Sequence, residues 1–186
     1  MRVICETDRL IVREWTDSPQ DVDRAFDTYR REEVTKWLGN PAPLTDPAQA
    51  VAGQARRAAI YAKHHGRYGV WAVQVRDSAI VAGSVLLLPM PEPSDGSEGA
   101  DEVEIGWHLH PDSWGNGYAT EAAKAVLDHG FRHGLSEILA IAKPDNAPSL
   151  AVMHRIGMTH LGRTTRWYGI EAELYTTGQR VDDLRL

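Results

Sequence analysis

The sequence predicts a mixed α/β fold of the α+β type, with helices flanking a central mixed β-sheet of about seven strands. Three observations support this class. Strand-like runs occur near both ends of the chain, helix-like runs with clear start signals lie between them, and antiparallel hairpins are combined with one β-α-β step. A β-α-β step places two strands parallel to each other, so the predicted sheet is mixed.

The first third of the chain is predicted to form one strand followed by three helical segments. Residues 10–15 partly alternate between apolar and polar side chains, which indicates a strand. Ser18 precedes Pro19, and Asp21 lies in the first turn, a combination typical of a helix N-terminus. The remaining helical segments are a short one at residues 34–38, ended by Gly39-Asn40-Pro41, and one opened by Thr45-Asp46-Pro47 and closed by Gly66.

The rest of the chain is dominated by strands. The predicted elements are a hairpin of residues 68–75 and 80–88, a strand at 102–109, a helix at 118–133, a buried strand at 137–142, a helix at 146–156, and a closing hairpin of residues 158–166 and 170–177 that turns near Tyr168-Gly169. No internal repeat or linker interrupts this order. We therefore expect a single domain over residues 1–186.

Composition excludes several classes of protein. The net charge of −6 argues against a nucleic-acid binder, because phosphate neutralisation needs clustered Lys and Arg. No apolar run approaches the ~18–20 residues of a membrane span, and the N-terminus has no apolar signal segment. The single cysteine, Cys5, permits no intrachain disulfide and fits a reducing compartment. These features predict a soluble, cytoplasmic protein.

The most informative segment is a turn between the strand ending at Pro111 and the helix beginning near Tyr118. Gly115, Gly117 and Ala119 keep the side chains small where successive backbone N–H groups point outward. Such N–H groups, together with a helix N-terminus, bind anionic phosphate. The turn lacks the Gly-Lys-Ser/Thr of a Walker loop and the third glycine of a dinucleotide-binding fingerprint.

Five segments, taken in order, resemble the GCN5-related N-acetyltransferase (GNAT) superfamily, and most closely its ribosomal-protein N-terminal (RimJ/RimL-like) acetyltransferase subgroup. They are ETDRLIVRE at residues 6–14, VEIGW at 103–107, PDSWGNGYATEA at 111–122, NAPS at 146–149, and IGM at 156–158 followed by Leu161-Gly162. One position differs from the general superfamily pattern, which has Gln or Arg where this chain has Trp114. An aromatic residue is usual there in the subgroup.

The resemblance implies an N-acetyltransferase that moves an acetyl group from acetyl-CoA to a primary amine, by direct attack in a ternary complex. The amine would be a protein N-terminus or a small molecule. The implied fold has a splayed fourth and fifth strand pair with pantetheine in the gap. Two alternatives stay open, namely another donor such as succinyl-CoA, and a catalytically silent CoA-binding sensor. No metal, nucleic acid or membrane is implied, and the chain would be a monomer or homodimer.

The resemblance also implies which residues bind the cofactor. Backbone groups of residues 114–119 would hold the pyrophosphate, and the strand backbone near Trp107 and His108 would bond pantetheine and polarise the thioester. Asn146 suits a helix N-cap by itself, and the resemblance adds contact with pantetheine. The full cofactor-binding prediction is Trp107, His108, Trp114, Gly115, Asn116, Gly117, Tyr118, Ala119, Thr120, Asn146 and Ser149.

The reaction needs a base, because an alkyl amine is mostly protonated at neutral pH and cannot attack. Glu104 is the first candidate and His108 the second. Strand alternation places both on one face, with Gly106 and His110. Further carboxylate candidates are Glu102, Glu171 and Glu173. Ser149 is the candidate for protonating the departing CoA thiolate.

Three other features are candidates for a functional role. Residues 91–104 hold six acids and no Lys or Arg, which indicates a solvated loop or, alternatively, an acidic lip that attracts a cationic amine. The acids are Glu92, Asp95, Glu98, Asp101, Glu102 and Glu104. The spacings His129-x-x-x-His133 and His108-x-His110 suit a metal, but neither has the companion ligands of a known motif. Cys5 has no neighbouring His, which argues against an acetyl-cysteine intermediate.

Overall fold

The computed structural model describes residues 1–39, 42–94, 96 and 101–178. Eight strands form one sheet in the order β1-β2-β3-β4-β5-β6-β8-β7. The strands are β1 (Val3–Glu6), β2 (Leu10–Arg13), β3 (Gly69–Val75), β4 (Val81–Pro89), β5 (Val103–Leu109), β6 (Leu139–Ala142), β7 (Thr159–Thr164) and β8 (Ala172–Thr176). The helices are α1 (Pro19–Tyr29), α2 (Glu32–Thr35), α3 (Pro47–Lys63), α4 (Tyr118–Arg132) and α5 (Ala147–Arg155).

The mixed sheet is confirmed, with eight strands where the sequence predicted about seven. The missed strand is β1, which has four residues and pairs antiparallel to β2 with an irregularity between Val3 and Cys5. A strand this short carries too little alternation to be recognised from sequence, because its stability comes from the pairing itself. A short 3-10 turn at Pro111–Ser113 also had no sequence signal.

The predicted starts of α1 and α3 are confirmed, whereas the short helix expected at residues 34–38 lies earlier, at Glu32–Thr35. The Ser18 side chain caps α1 by accepting from the backbone N–H of Asp21. Asp46 and Gln49 form a reciprocal capping box at the start of α3. The predicted stop at Gly39-Asn40-Pro41 lies partly outside the described residues, since Asn40 and Pro41 are not among them.

The two faces of the sheet are covered by different helices. Alternation along β5 is confirmed, because Ile105 and Leu109 belong to the hydrophobic core that includes Ala122 and Val126 of α4. His108 points to the opposite face, where its ring meets Tyr29 of α1 edge-on. The pairing of β4 with β5 is regular from Gly83↔Leu109 to Pro89↔Val103, so no bulge disturbs this alternation.

An ion pair fastens α1 to the sheet. Arg13 of β2 and Asp21 of α1 are 5% and 3% exposed, and the guanidinium donates to both carboxylate oxygens at 2.7 and 2.8 Å. The backbone N–H and hydroxyl of Thr16 also donate to Asp21, each at 2.8 Å. All of these contacts satisfy a carboxylate that would be costly to bury alone.

The sheet opens between β5 and β6. These two strands are its parallel pair, and their pairing is recorded only at Glu104↔Leu139 within the described chain. Beyond Glu104 the β5 edge faces a groove, and residues from both faces of β5 line it. The fourth and fifth strands predicted from the sequence are β5 and β6 in the structure. The expected splayed strand pair is therefore present. None of the helices in the described ranges is long and apolar enough to cross a membrane.

Candidate active site

The groove that opens between β5 and β6 has a volume of about 1280 Å³. It reaches from the N-terminus of α4 on one side of the sheet to the end of α2 and the β7–β8 loop on the other. Every residue predicted to bind the cofactor lines this groove except Asn116. The sequence-predicted residues are thus brought together in one place.

The turn before α4 has the geometry of an anion cradle. Gly115 and Gly117 have φ angles of 76° and 78°, the left-handed region in which other residues are strained. Gly117 is the N-cap of α4 and has no side chain to cover the helix N-terminus. The Trp114 indole donates to the carbonyl of Leu109 at 2.9 Å, so this side chain anchors the turn to the end of β5.

Arg9 is a groove residue that sequence reasoning missed. Its guanidinium donates to the Asn116 carbonyl at 3.1 Å and to Glu121 of α4 at 2.7 Å. It also lies over the Tyr118 ring, 5.2 Å from the centroid. Arg9 therefore places a positive charge beside the anion cradle, and its position in the first matching segment was the available signal.

A polar clamp joins α1 to the 3-10 turn that precedes the cradle. Arg24 donates to both oxygens of Asp112 at 2.9 and 2.7 Å, and this contact holds the pKa of Asp112 far below its usual range. The buried His110 ring lies 2.8 Å from Asp27 through Nε2. Burial alone would raise the pKa of Asp27, but hydrogen bonds from His110 and Arg31 outweigh it and lower that pKa.

Asn146 and Ser149 lie at the start of α5, on the far wall of the groove. Asn146 is the N-cap and its side-chain oxygen accepts from the backbone N–H of Ser149 at 3.4 Å. Asn146 is buried, whereas Ser149 is half-buried and lines the groove. The Ser149 hydroxyl is thus available to a ligand in the gap between β5 and β6.

Glu104 lies in the groove in contact with Tyr168 of the β7–β8 loop, whose hydroxyl donates to the carboxylate. Burial raises the pKa of Glu104, and the hydrogen bond from Tyr168 opposes that rise only in part. Burial and the adjacent carboxylate raise the pKa of the Tyr168 phenol above its usual range. Glu104 is therefore a carboxylate with an enhanced affinity for a proton.

Tyr168 is held over the groove by its loop. Its φ angle is 60°, uncommon for a tyrosine, and the Ser94 hydroxyl accepts from the N–H of Gly169 at 3.3 Å. Arg166 of the same loop donates to Glu102 at 2.7 Å. Sequence analysis recognised the turn at Tyr168-Gly169, but nothing local indicated that the tyrosine reaches a strand 64 residues away.

His108 has a different environment from Glu104. Its Nδ1 lies 3.4 Å from the Tyr29 hydroxyl, which itself is 2.8 Å from Ser84 Oγ. Burial and the nearby positive charge of Arg57 lower the pKa of His108 to about 4. With a strand rise of about 3.4 Å per residue, the Cα atoms of Glu104 and His108 are about 14 Å apart. The two side chains therefore face different parts of the groove.

The other candidate carboxylates are paired away from the groove. Glu102 bonds Arg166, Glu171 bonds Arg163 at 3.0 Å, and Glu173 bonds Arg163 at 2.8 Å and His160 at 2.6 Å. None of the three lines the groove as far as the structure describes it. Of the other acids in residues 91–104, Glu92 and Asp101 are exposed, and Asp95 and Glu98 lie outside the described residues.

The histidine pairs and Cys5 have structural surroundings. His129 and His133 stack with ring centroids 4.1 Å apart at the end of α4, and burial together with His133 lowers the pKa of His129. No group of three or more His, Cys, Asp or Glu side chains that could hold a metal occurs in the described part of the chain. Burial raises the pKa of Cys5 to about 11, which makes it a poor nucleophile.

Comparison with known proteins identifies the family. Residues 9–159 match the model of the acetyltransferase (GNAT) domain. The chain is 31% identical over 160 residues to the uncharacterized N-acetyltransferase YoaA of Bacillus subtilis (strain 168), covering 86% of this chain and 84% of that protein.

Two solved structures share the fold. RimL, a ribosomal L7/L12 alpha-N-protein acetyltransferase in complex with coenzyme A, has a TM-score of 0.74 at 17% identity, covering 94% of this chain and 97% of that one. The microcin C7 self-immunity acetyltransferase MccE, in complex with acetyl-CoA and AMP, has a TM-score of 0.73 at 14% identity, covering 93% and 94%. With the family match, this establishes that the chain belongs to the GNAT family of acetyltransferases and is an N-acetyltransferase that uses acetyl-CoA.

Proposed function

We propose that this N-acetyltransferase works by direct attack of a primary amine on acetyl-CoA, with Glu104 as the base and Ser149 as the acid. The observation that carries the proposal is the Glu104 carboxylate, which lies in the groove and whose pKa burial raises. A raised pKa brings a carboxylate closer to the task of accepting a proton near neutral pH.

Different residues of the groove bind different parts of acetyl-CoA. The open turn at Gly115 and Gly117, with Arg9 beside it, suits the pyrophosphate, since a Cβ on Gly115 would have no atom within 4 Å. The pantetheine arm then lies along the β5 edge between β5 and β6, with Asn146 on the opposite wall. This arrangement brings the thioester to Ser149 and to the backbone of Trp107 and His108.

The proposed reaction needs no catalytic side chain beyond Glu104 and Ser149. Glu104 takes a proton from the ammonium form of the substrate, directly or through one water, and the free amine attacks the thioester carbonyl. A backbone N–H of β5 stabilises the resulting oxyanion. The carbon–sulfur bond then breaks, Ser149 Oγ donates a proton to the CoA thiolate, and the serine recovers its proton from the amine nitrogen or solvent.

Glu104 is favoured over His108 for the role of base on two grounds. A histidine with a pKa of about 4 is a weak proton acceptor near pH 7, and its Nδ1 faces the Tyr29 hydroxyl. Glu104 instead faces the groove, where its carboxylate has no recorded partner other than the Tyr168 hydroxyl among the described residues. A carboxylate at this position favours an acceptor that arrives as a cationic ammonium. We place the enzyme in the cytoplasm, since its single cysteine suits a reducing compartment.

The test is the Glu104→Gln variant, assayed by thiol release from acetyl-CoA over a panel of amines. We expect kcat to fall by about 10²- to 10⁴-fold, the usual contribution of a general base, while calorimetry shows an unchanged Kd for acetyl-CoA. Glu102→Gln is the matched control, because this carboxylate is two residues away but bonds Arg166 outside the groove.

An unchanged kcat in Glu104→Gln would exclude Glu104 as the base. Running the panel in parallel with succinyl-CoA tests the donor, and acetyl-CoA should be preferred. Acetyl-CoA that binds while no amine in the panel is consumed would instead favour a CoA-binding sensor.

A further inference from the structure

A second, smaller cavity lies beside the groove on the acceptor side of the sheet. Its volume is about 180 Å³, and residues of α1, of the segment between α2 and α3, and of α3 line it. Leu38 lines both this cavity and the groove. Tyr29 forms part of its wall, and the Tyr29 hydroxyl contacts His108, which lines the groove. The small cavity is therefore adjacent to the reaction centre.

The charge in this cavity is positive and uncompensated. The charged side chains among its described lining residues are Arg56 and Arg57. In the described chain neither arginine forms an ion pair, whereas the neighbouring Arg31 pairs with Asp27 and Glu33. An arginine that borders a cavity without a carboxylate partner leaves its bidentate donor face available to an anion.

Arg57 is held in place by its surroundings. Its guanidinium lies over the ring of Trp15 at 5.2 Å and over the ring of Tyr29 at 5.1 Å. Its Nη1 donates to the buried Gln54 side chain at 2.8 Å. A guanidinium fixed between two aromatic rings is ordered before any ligand binds, which lowers the entropy cost of binding. The positive charge of Arg57 also acts on the groove, because it helps to lower the pKa of His108.

We propose that the small cavity binds an anionic group of the acceptor, a carboxylate or a phosphate, through Arg57 with help from Arg56. The acceptor is then a small amine with an anionic end: its ammonium meets Glu104, and its anion meets the two arginines. This inference rests on the proposed function and names its substrate class. A polyamine would instead bring positive charge towards Arg57.

The experiment uses ω-amino carboxylates of increasing chain length and their uncharged amides, with aminoalkyl phosphates and the matching amino alcohols as a second series. Thiol release from acetyl-CoA gives kcat/KM for each compound. We expect one chain length to be preferred, and the anionic member to exceed its neutral partner by about tenfold or more, as a charge-assisted hydrogen bond allows. The two series distinguish a carboxylate from a phosphate.

Arg57→Gln should reduce the ratio of anionic to neutral kcat/KM to about one, mainly through KM, and leave the Kd of acetyl-CoA unchanged. The matched control is Arg67→Gln, because Arg67 is also half-buried over a tyrosine ring, at 5.2 Å from Tyr68, yet lines neither cavity. Arg56→Gln, on an exposed side chain, gives a second reading if Arg57→Gln does not fold.

The results separate this inference from the proposed function. Equal use of anionic and neutral amines, or turnover only of neutral or polycationic amines, would overturn the anion subsite and leave the acetyltransferase mechanism in place. No turnover of any compound, with acetyl-CoA still bound, would also overturn the subsite. A Glu104→Gln variant that keeps full activity on the preferred compound would overturn the proposed mechanism and leave the subsite standing.

Discussion

Glu104 and Tyr168 set the pH range in which the proposed base works. Burial raises the pKa of Glu104, and the hydrogen bond from Tyr168 lowers it, because that bond favours the carboxylate form. The base is active only when ionised. Activity is therefore present above the pKa of Glu104, and kcat/KM falls as the pH drops through that raised value.

Tyr168→Phe removes the hydrogen bond and leaves burial to act alone. The pKa of Glu104 should then rise further, and the acid limb of the kcat/KM profile should move to higher pH. Tyr175→Phe is a suitable control, because that hydroxyl contacts His154 at 3.0 Å on another part of the sheet. A limb that stays in place or moves to lower pH in Tyr168→Phe would contradict the assignment.

The individual residues of the site differ in how far sequence could predict them. Asn146, a helix N-cap, and Gly117, in the turn before α4, have local signals, and both were predicted as cofactor-binding residues. Tyr168, Arg9 and Arg57 were missed as site residues, because each acts through contacts with distant parts of the chain. The Tyr168 contact joins residues 64 apart, and the Arg9 contact with Asn116 joins residues 107 apart.

At the scale of elements, α1 depends on the Arg13–Asp21 pair. Burial by itself would raise the pKa of Asp21, but hydrogen bonds from Arg13 and Thr16 outweigh it and keep that pKa below its usual value. The pair therefore adds stability above the ordinary carboxyl pKa, and this stability is lost as the pH falls through the lowered folded value.

Asp21→Ala leaves the Arg13 guanidinium buried without its partner. We expect a loss of about 3–5 kcal/mol in the free energy of unfolding near pH 7, measured by urea denaturation, with a smaller difference at acid pH. Asp23→Ala, at an exposed position on the same helix, should change stability by about 0.5 kcal/mol or less. Similar losses in both variants would show that the ion pair does not secure α1.

The elements that sequence predicted best are those with strong local signals. The starts of α1 and α3 were expected because side chains within one turn cap them, and the start of α4 was expected because glycines precede it. Strand β1 and the 3-10 turn at Pro111–Ser113 were not, because short elements are stabilised by neighbours that the sequence does not place.

For the whole molecule, binding of CoA should increase the free energy of unfolding. At a free CoA concentration 100 times its Kd, linkage predicts about 2.7 kcal/mol of stabilisation, which corresponds to a rise in Tm of about 5–10 °C for a chain of this size. Differential scanning fluorimetry measures this rise. A Tm that does not change with CoA would contradict the proposed binding site.

Two glycines provide the matched comparison. Gly117 and Gly134 have φ angles of 78° and 84°, so alanine strains the backbone at both, by about 1 kcal/mol or more. Only Gly117 lies in the groove, and Gly134 follows the far end of α4. At the same CoA concentration, Gly117→Ala should lose most of the rise in Tm, and Gly134→Ala should keep it.

The overall architecture could be predicted because the order of elements and the single β-α-β step restrict the possible sheets. The opening between β5 and β6 came from the resemblance, because no local pattern states where two paired strands part. The prediction of one domain over residues 1–186 stays a prediction, and so does the choice between monomer and homodimer. The family match itself covers residues 9–159.

The clamp between α1 and the turn before α4 predicts that the two ligands bind cooperatively. Helix α1 borders the small cavity through Ala25 and Tyr29, and holds the cradle turn through Arg24 and Asp27. A ligand that orders one end of this connection reduces the entropy that the other must lose. CoA, used as the inert donor, should therefore lower the Kd of the acceptor, and calorimetry of the acceptor with and without CoA measures this factor. A factor of one would contradict the coupling.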